Sequence, residues 1–418
     1  MKDIIETLEK YNQGHIINIL KRLDKVTQDK LIEQLKNIDF EQLKELYENI
    51  KSVADIDLNK IKPIKSINKD KLSKEEIEKY ENLGIDTIKN NQFAVVTMSG
   101  GQGTRLGFNG PKGTFKINVD PIPKYLFEII VDTLKEANKK YNVTIPWYIM
   151  TSEENNDIIV NFMQEHKYFG YDENYVKYFK QGELPLIDTE GKLLIDEKYN
   201  VKSASNGNGS IFESMRTKGI LKDMESKGIK WVYIGSIDNV LLKMVDILLM
   251  GIAIEEKSLI ATRSIFKNTA RERIGSLCSY DGKIKVIEYS ELPEEMVEAV
   301  NEEGELLYGE SHVMCNLFNI EALKKVSTKR LPYHKAFKKY SYIDENLNLV
   351  NPEEPNAYKF EYFIFDSFEY FDKISILRGK REEDFAPVKN AVGVDSPETA
   401  IKLYNNFWSR KEKNNGRS

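Results

Sequence analysis

Residues 93–114 read FAVVTMSGGQGTRLGFNGPKGT. The apolar run Phe93–Met98 is short and valine-rich, which predicts a buried strand. It breaks at once into a segment holding Gly100, Gly101, Gly103 and Gly107, with Arg105 among them and Lys112 just beyond. Glycines placed directly after a strand let backbone N–H groups approach an anion with no side chain in the way. Tight turns use glycine too, so the glycines alone leave a plain turn open; the guanidinium and the ammonium shift the balance towards phosphate. The dinucleotide pattern G-x-G-x-x-G fails, because Leu106 stands where its third glycine is needed, and the Walker pattern fails, because Pro111 precedes the lysine. What remains is a loop able to grip a triphosphate and to stabilise charge moving onto a departing pyrophosphate.

Outward from this loop, strand-like and helix-like pieces alternate. Leu126, Ile130, Leu134 and Ala137 repeat at helical spacing, residues 147–152 are strand-like, residues 158–162 amphipathic, residues 176–179 extended, and residues 231–239 (WVYIGSIDN) extended again. Such alternation predicts an α/β protein with a Rossmann-like, largely parallel sheet covered on both faces, in which ligands collect at the carboxyl ends of the strands. Before it, apolar residues recur at helical intervals through residues 4–50 and predict three helices; residues 51–74, rich in lysine, read as a connecting arm, and the last nine residues as a frayed polar tail.

The 61 Lys and Arg and 66 Asp and Glu are intermixed, for a net charge of −5, so no basic stripe for nucleic acid is expected. Residues 240–254, the most apolar stretch, are interrupted by Lys243 and Asp246, and the amino terminus lacks the pattern of a secretory signal. A cytoplasmic protein without a membrane partner, and a monomer, is the expectation. Cys278, Cys315 and four scattered histidines (His15, His166, His312, His334) offer no zinc-ligand spacing.

The loop GGQGTRLGFNGPKG resembles that of the UDP-sugar pyrophosphorylases, nucleotidyltransferases that join UTP to sugar 1-phosphates, and is most similar to the UDP-N-acetylhexosamine branch. The resemblance continues in order through YFKQGELP, SNGNGSIFES, GSIDNVLLK, VIEYSE, PNAYKFEYFIFD and FAPVKNAVG. It implies a nucleotide-diphospho-sugar transferase (GT-A-like) sheet, with an N-terminal helical segment (residues 1–60), a catalytic domain (61–382) and a short C-terminal segment (383–418) that supplies Lys389. It also implies catalytic roles for Arg105, Lys112 and Lys389, the last on the sugar phosphate, and nucleotide contacts from Ser99, Gly100, Gly101, Gly103 and Thr104 of the loop.

Beyond the loop, Asp238 follows a strand end, where a carboxylate suits either Mg²⁺ between phosphates or a helix N-cap; the resemblance favours the nucleotide and metal role. Gln181 matches a uracil-reading carboxamide, which can complement the acceptor and donor edge of the base. Residues 203–210 are by composition a polar turn, but Gly207 matches a backbone contact to the base and Asn208 the side chain beside an N-acetyl group. Glu288 matches an acceptor of sugar hydroxyls and is otherwise a solvated strand glutamate. Lys359, matched to a nucleotide contact, lies one step off a stripe of Phe360, Ile364, Phe368 and Phe371 at helical spacing. His312 departs from the branch: it stands where close relatives place asparagine in an N-I-x-x-H run touching the sugar. The implied reaction is UDP-N-acetylglucosamine formation. Asn208 supports the acetylated sugar; His312 supports the alternative of glucose or galactose 1-phosphate. A non-catalytic UDP-sugar sensor is a further alternative, against which Arg105, Lys112, Asp238 and Lys389 speak.

Overall fold

The leader folds as four helices, not three: α1 (Lys2–Lys10), α2 (Gly14–Arg22), α3 (Lys25–Lys36) and α4 (Phe40–Lys51). The extra break falls at Asn12, whose φ of 57° lies in the left-handed region, and α1 buries Ile4 and Leu8 on one face. Asp24 caps α3 by accepting from the amides of Val26 and Thr27. In the computed structural model, which describes residues 2–51 and 57–415, these helices cluster with residues 182–210 and 331–364 as one compact unit. Leu8, Ile16, Leu31 and Leu35 share an apolar core with Leu184, Ile187, Leu193 and Phe360. The buried amide of Gln13 fastens helix to loop, donating to the Gly191 carbonyl at 2.9 Å and accepting from the Leu193 amide at 2.8 Å.

Residues 57–181, 211–330 and 365–418 make the second unit. These discontinuous units cut across the contiguous segments 1–60, 61–382 and 383–418. The second is built on an 11-stranded sheet whose main path contains β1 (Ile67–Asn68), β2 (Phe93–Met98), β3 (Trp147–Thr151), β4 (Val176–Lys180), β5 (Trp231–Ser236), β6 (Ile260–Phe266), β7 (Glu310–Asn319) and β8 (Ser375–Arg378), in the order β1-β8-β6-β7-β5-β2-β3-β4. Along this path only β7 runs antiparallel, pairing with β5 and β6. All residues of β2 and β3 are buried, as strands covered on both faces require. Helix α5 (Lys74–Lys89) starts on a capping box of Ser73 and Glu76, and α6 (Leu126–Tyr141) packs its apolar face with β2 and β3 in one core. The arm expected over residues 51–74 joins the sheet where it is described, since Ile61–Pro63 pairs with Ser276–Tyr280 and β1 with β8; strands of two or three residues show no period in sequence. Of the expected polar tail, residues 410–415 continue a helix, Pro397–Asn415, and 416–418 lie outside the described residues.

Strand order steps outward from β2 through β3 and β4, and resumes on its other side with β5. The carboxyl ends of β2 and β5 therefore flank the point where the order reverses, the usual ligand crevice of an open α/β sheet. Met98 and Ser236 are paired there in parallel register, so the glycine loop and Asp238 emerge side by side.

Candidate active site

The loop after β2 folds back on itself. Lys112 N donates to Gly101 O at 3.1 Å and Gly103 N to Gly110 O at 2.9 Å, with short 3₁₀ turns at Thr104–Leu106 and Lys112–Thr114. Gly107 closes the first turn at φ 69°, a conformation that costs any residue with a Cβ. Gly100 lies against Gln181: a Cβ there would sit 2.7 Å from the carboxamide nitrogen. The two positions singled out from separate motifs are thus brought into contact. Ser99 is buried, its amide and hydroxyl both donating to Met150 O, so it anchors the loop's first step to β3. Gly101, Thr104 and Arg105 are exposed, whereas Gly103 is buried.

Asp238 lies two residues beyond β5, in a turn and not at a helix N-cap. Its Oδ1 accepts from Ser236 Oγ at 2.6 Å and its Oδ2 is 3.5 Å from Lys112 Nζ. Both side chains are largely enclosed, with 11% of Lys112 and 16% of Asp238 exposed. Burial pushes the carboxyl pKa up, but the ammonium groups of Lys112 and Lys389 and the Ser236 hydroxyl outweigh it and hold the group below its ordinary value. Lys389 is placed here by the last part of the chain, where Val388 N donates to Asp238 O at 2.8 Å and Ala391 N to Arg105 O at 2.9 Å. Lys112 and Lys389, far apart in sequence, therefore both act on the Asp238 carboxylate, and Arg105 is tied to the Lys389 segment through its main-chain carbonyl.

Gly207, Asn208 and Lys359 belong to the helical unit. Gly207 has φ 85°, and a Cβ on it would lie 2.4 Å from Tyr362 O, so only glycine fits. Asn208 Oδ1 accepts from Ile364 N at 2.8 Å, which directs the Nδ2 end of the amide to other partners. The helical stripe expected around Lys359 is absent: Ala357–Glu361 is a strand, followed by a 3₁₀ segment, Ile364–Tyr370. Strand alternation puts Phe360 in the core and Lys359 on the opposite face beside Glu361, with which it pairs at 2.8 Å. Clusters of aromatics mimic helical spacing when a strand and a helical turn succeed each other. Glu288 follows the strand Lys283–Ile287, half-buried. His312 is a buried residue of β7, its ring set edge-on to Phe365 and Phe368 and its Nε2 2.9 Å from Asn316 Oδ1.

Residues 38–412 match the profile of a family described as UTP–glucose-1-phosphate uridylyltransferase. The chain belongs to this uridylyltransferase family. It is 36% identical over 344 residues to the UDP-N-acetylglucosamine pyrophosphorylase of Saccharomyces cerevisiae, covering 79% of this chain and 72% of the relative. It is 34% identical over 350 residues to a UDP-N-acetylhexosamine pyrophosphorylase-like protein 1 of Xenopus tropicalis, covering 80% and 68% respectively. Among solved structures, the UDP-N-acetylglucosamine pyrophosphorylase of Trypanosoma brucei superposes with a TM-score of 0.78 at 26% identity, over 96% of this chain and 83% of that one.

Two residues beside the glycine loop and Asp238 of this uridylyltransferase escape a reading by motif. Asn155 is fully buried and donates from Nδ2 to Gly100 O at 3.0 Å, fixing the loop from the β3 side, and Ser236 orients Asp238. Each is a small polar residue at or shortly after a strand end, in TSEENN and GSIDN, a faint signal that acquires meaning only once the neighbouring strand is known. His312 makes a further prediction. Burial lowers its pKa from 6.5 to about 4, the hydrogen bond with Asn316 opposing the shift, so the ring is neutral in the folded uridylyltransferase at pH 7. An unfolded chain takes up this proton from pH 6.5 downward, and stability present above that pH is progressively lost as pH falls towards 4. Its share at pH 4.5 is roughly 2–3 kcal/mol. In urea unfolding, the gap between wild type and His312→Asn should shrink as pH falls from 7 to 4.5; a constant gap would refute this origin of acid sensitivity.

Proposed function

We propose that the protein transfers the uridylyl group of UTP to N-acetylglucosamine 1-phosphate, forming UDP-N-acetylglucosamine and pyrophosphate. The observation that carries the choice of sugar is the identity, over about four fifths of the chain, to enzymes named for that product. Asn208 adds a chemical reason, since an amide whose oxygen is engaged by Ile364 N still offers a donor to an acetamido carbonyl.

In the proposed reaction a phosphate oxygen of the sugar 1-phosphate attacks the α-phosphorus of UTP while the bond to the β,γ-pyrophosphate breaks, and the electron pair leaves with pyrophosphate. The nucleophile is already an anion, so no general base is needed; the difficulty is bringing two polyanions together. Two unit charges ~4 Å apart repel by about 4 kcal/mol at an effective dielectric of ~20, and several such pairs would forbid the encounter. Arg105 and Lys112 are assigned to the triphosphate, and Lys389 to the incoming phosphate, which supplies counter-charge and alignment. Ser99, Gly100, Gly101, Gly103 and Thr104 are assigned to the UTP phosphates, Gln181, Gly207 and Lys359 to the rest of the nucleotide, and Asn208, Glu288 and His312 to the sugar.

Asp238 is the proposed magnesium ligand. Its carboxylate stays ionised, and among the described residues no group of three or more His, Cys, Asp or Glu could hold a metal. An ion there would draw its other ligands from phosphates and water, as magnesium does. Bound, it would neutralise phosphate charge. A cytoplasmic monomer without nucleic-acid or membrane partners completes the proposal; no described helix is long and apolar enough to cross a membrane.

The second reading, glucose 1-phosphate, is favoured by the description of the family profile itself and by His312. Pyrophosphate release measured with a panel of sugar 1-phosphates decides between them. N-acetylglucosamine 1-phosphate should give the highest kcat/KM, by roughly tenfold or more over glucose 1-phosphate; the reverse order would overturn the assignment, and release with none would leave only a binding protein.

A further inference from the structure

Asn239 stands next to Asp238 and faces the opposite way. It is 4% exposed, and besides the nearby Leu241 amide its side chain bonds to residues nearly 150 positions later in the chain. Nδ2 donates to Asp384 O at 2.8 Å, and Oδ1 accepts from Ala386 N at 2.9 Å and from Leu241 N at 3.2 Å. Around it, Val240 N donates to Ala386 O and Val388 N to Asp238 O, and Asn239 and Pro387 form an isolated antiparallel bridge. The two backbone bonds flank the Asn239–Pro387 pair and neither calls on the N–H that proline lacks, so a ladder of only two bonds aligns residues 384–388 along 238–240 and the side chain of Asn239 adds to it. The Asn239 carboxamide supplies one donor and one acceptor at a fixed separation, which only one alignment satisfies.

The residue after that alignment is Lys389. A slip of one position would carry its ammonium to the other side of the segment and away from Asp238 and Lys112. We infer that Asn239 is a positioning residue for the uridylyl transfer: it sets where Lys389 stands relative to the Asp238 turn, and through Lys389 it governs use of the sugar phosphate. The inference rests on the assignment of Lys389 to that phosphate.

Asn239→Asp tests it with minimal change of shape, because the carboxylate cannot donate to Asp384 O and repels it. In the full-length protein, KM for the sugar 1-phosphate should rise roughly tenfold or more, while the dissociation constant for UTP, measured by calorimetry, changes less than about twofold. The same substitution is then made in Lys389→Ala. If Asn239 acts through Lys389, it should add little to the raised KM of that variant, whereas a merely structural role would add its full effect again. Equal weakening of UTP and sugar phosphate, or additive effects, would overturn the inference. An unchanged KM in Lys389→Ala alone would instead overturn the assignment of Lys389. Should Asn239→Asp fail to fold, Asn239→Ala, which removes the donor to Asp384 O and the acceptor for Ala386 N without adding a charge, replaces it in the same cycle with the same criteria.

Discussion

Replacing Lys112 by alanine is expected to lower kcat by roughly 10²–10³-fold, the loss usually seen when one fixed group that stabilises developing charge is removed. Lys112 is held more firmly than a loop lysine has to be. Its amide is tied to Gly101 O, its Nζ is 3.5 Å from Asp238 and little of it reaches solvent. A cation held this way needs no reorganisation when charge shifts towards pyrophosphate. The same variant should show a second, independent sign. Lys112 is the strongest of the influences holding the Asp238 carboxyl down against burial, so the acid limb of the residual activity should move to higher pH. Rapid-quench turnover against pH measures both. A folded Lys112→Ala enzyme with near-normal kcat, or a pH profile that does not move, would remove Lys112 from the chemistry. Arg105→Ala is the natural companion, since Arg105 is exposed and its loss should spare folding while costing turnover.

The largest effect on stability is expected at Arg263. It is 3% exposed, on β6, with Nη2 3.0 Å from Asp246 Oδ1, Nε bonded to the other Asp246 oxygen, and Nη1 3.3 Å from Asp384 Oδ2. Each carboxylate has further work: Asp246 caps the helix Ile247–Glu255 through Leu249 N, and Asp384 accepts from Lys243 Nζ at 2.7 Å and Lys380 N at 3.0 Å. Desolvation opposes the charged guanidinium, and the two carboxylates reverse the balance and raise its pKa. Removing it leaves two carboxylates buried with too little counter-charge, so Arg263→Met should cost about 3–5 kcal/mol, read as a fall in the urea midpoint. The loss should be smaller in Arg263→Met with Asp246→Asn, which removes one stranded charge while keeping a helix cap. A cost below about 1 kcal/mol for the single variant would show that water relieves the site.

The main sheet was legible in the sequence because β2, β3 and β5 are buried on both faces and so appear as unbroken apolar runs. The glycine loop was legible because β2 announces it. The helical unit was not, although its helices were half seen. Its strands are two to five residues long, and its three chain segments are separated by more than a hundred residues, so no window of sequence contains it. Lys359 was assigned to the wrong kind of element for the same reason: Phe360 packs with Leu184 and the leader helices, a partnership invisible locally. Asn155, Ser236 and Asn239 were missed on other grounds. Asn155 and Asn239 serve main-chain groups of distant segments and Ser236 serves its near neighbour Asp238, and a polar residue with such a partner looks in sequence like any turn residue.

The short ladder from Val388 and Ala391 to Asp238 and Arg105 also has a bearing on how the enzyme is made. A ribosome delivering this chain makes the glycine loop nearly three hundred residues before Lys389. Until that segment emerges, the new protein can own every loop glycine and still lack the cation assigned to its second substrate. The order of synthesis thus separates the loop from the cation that would complete it.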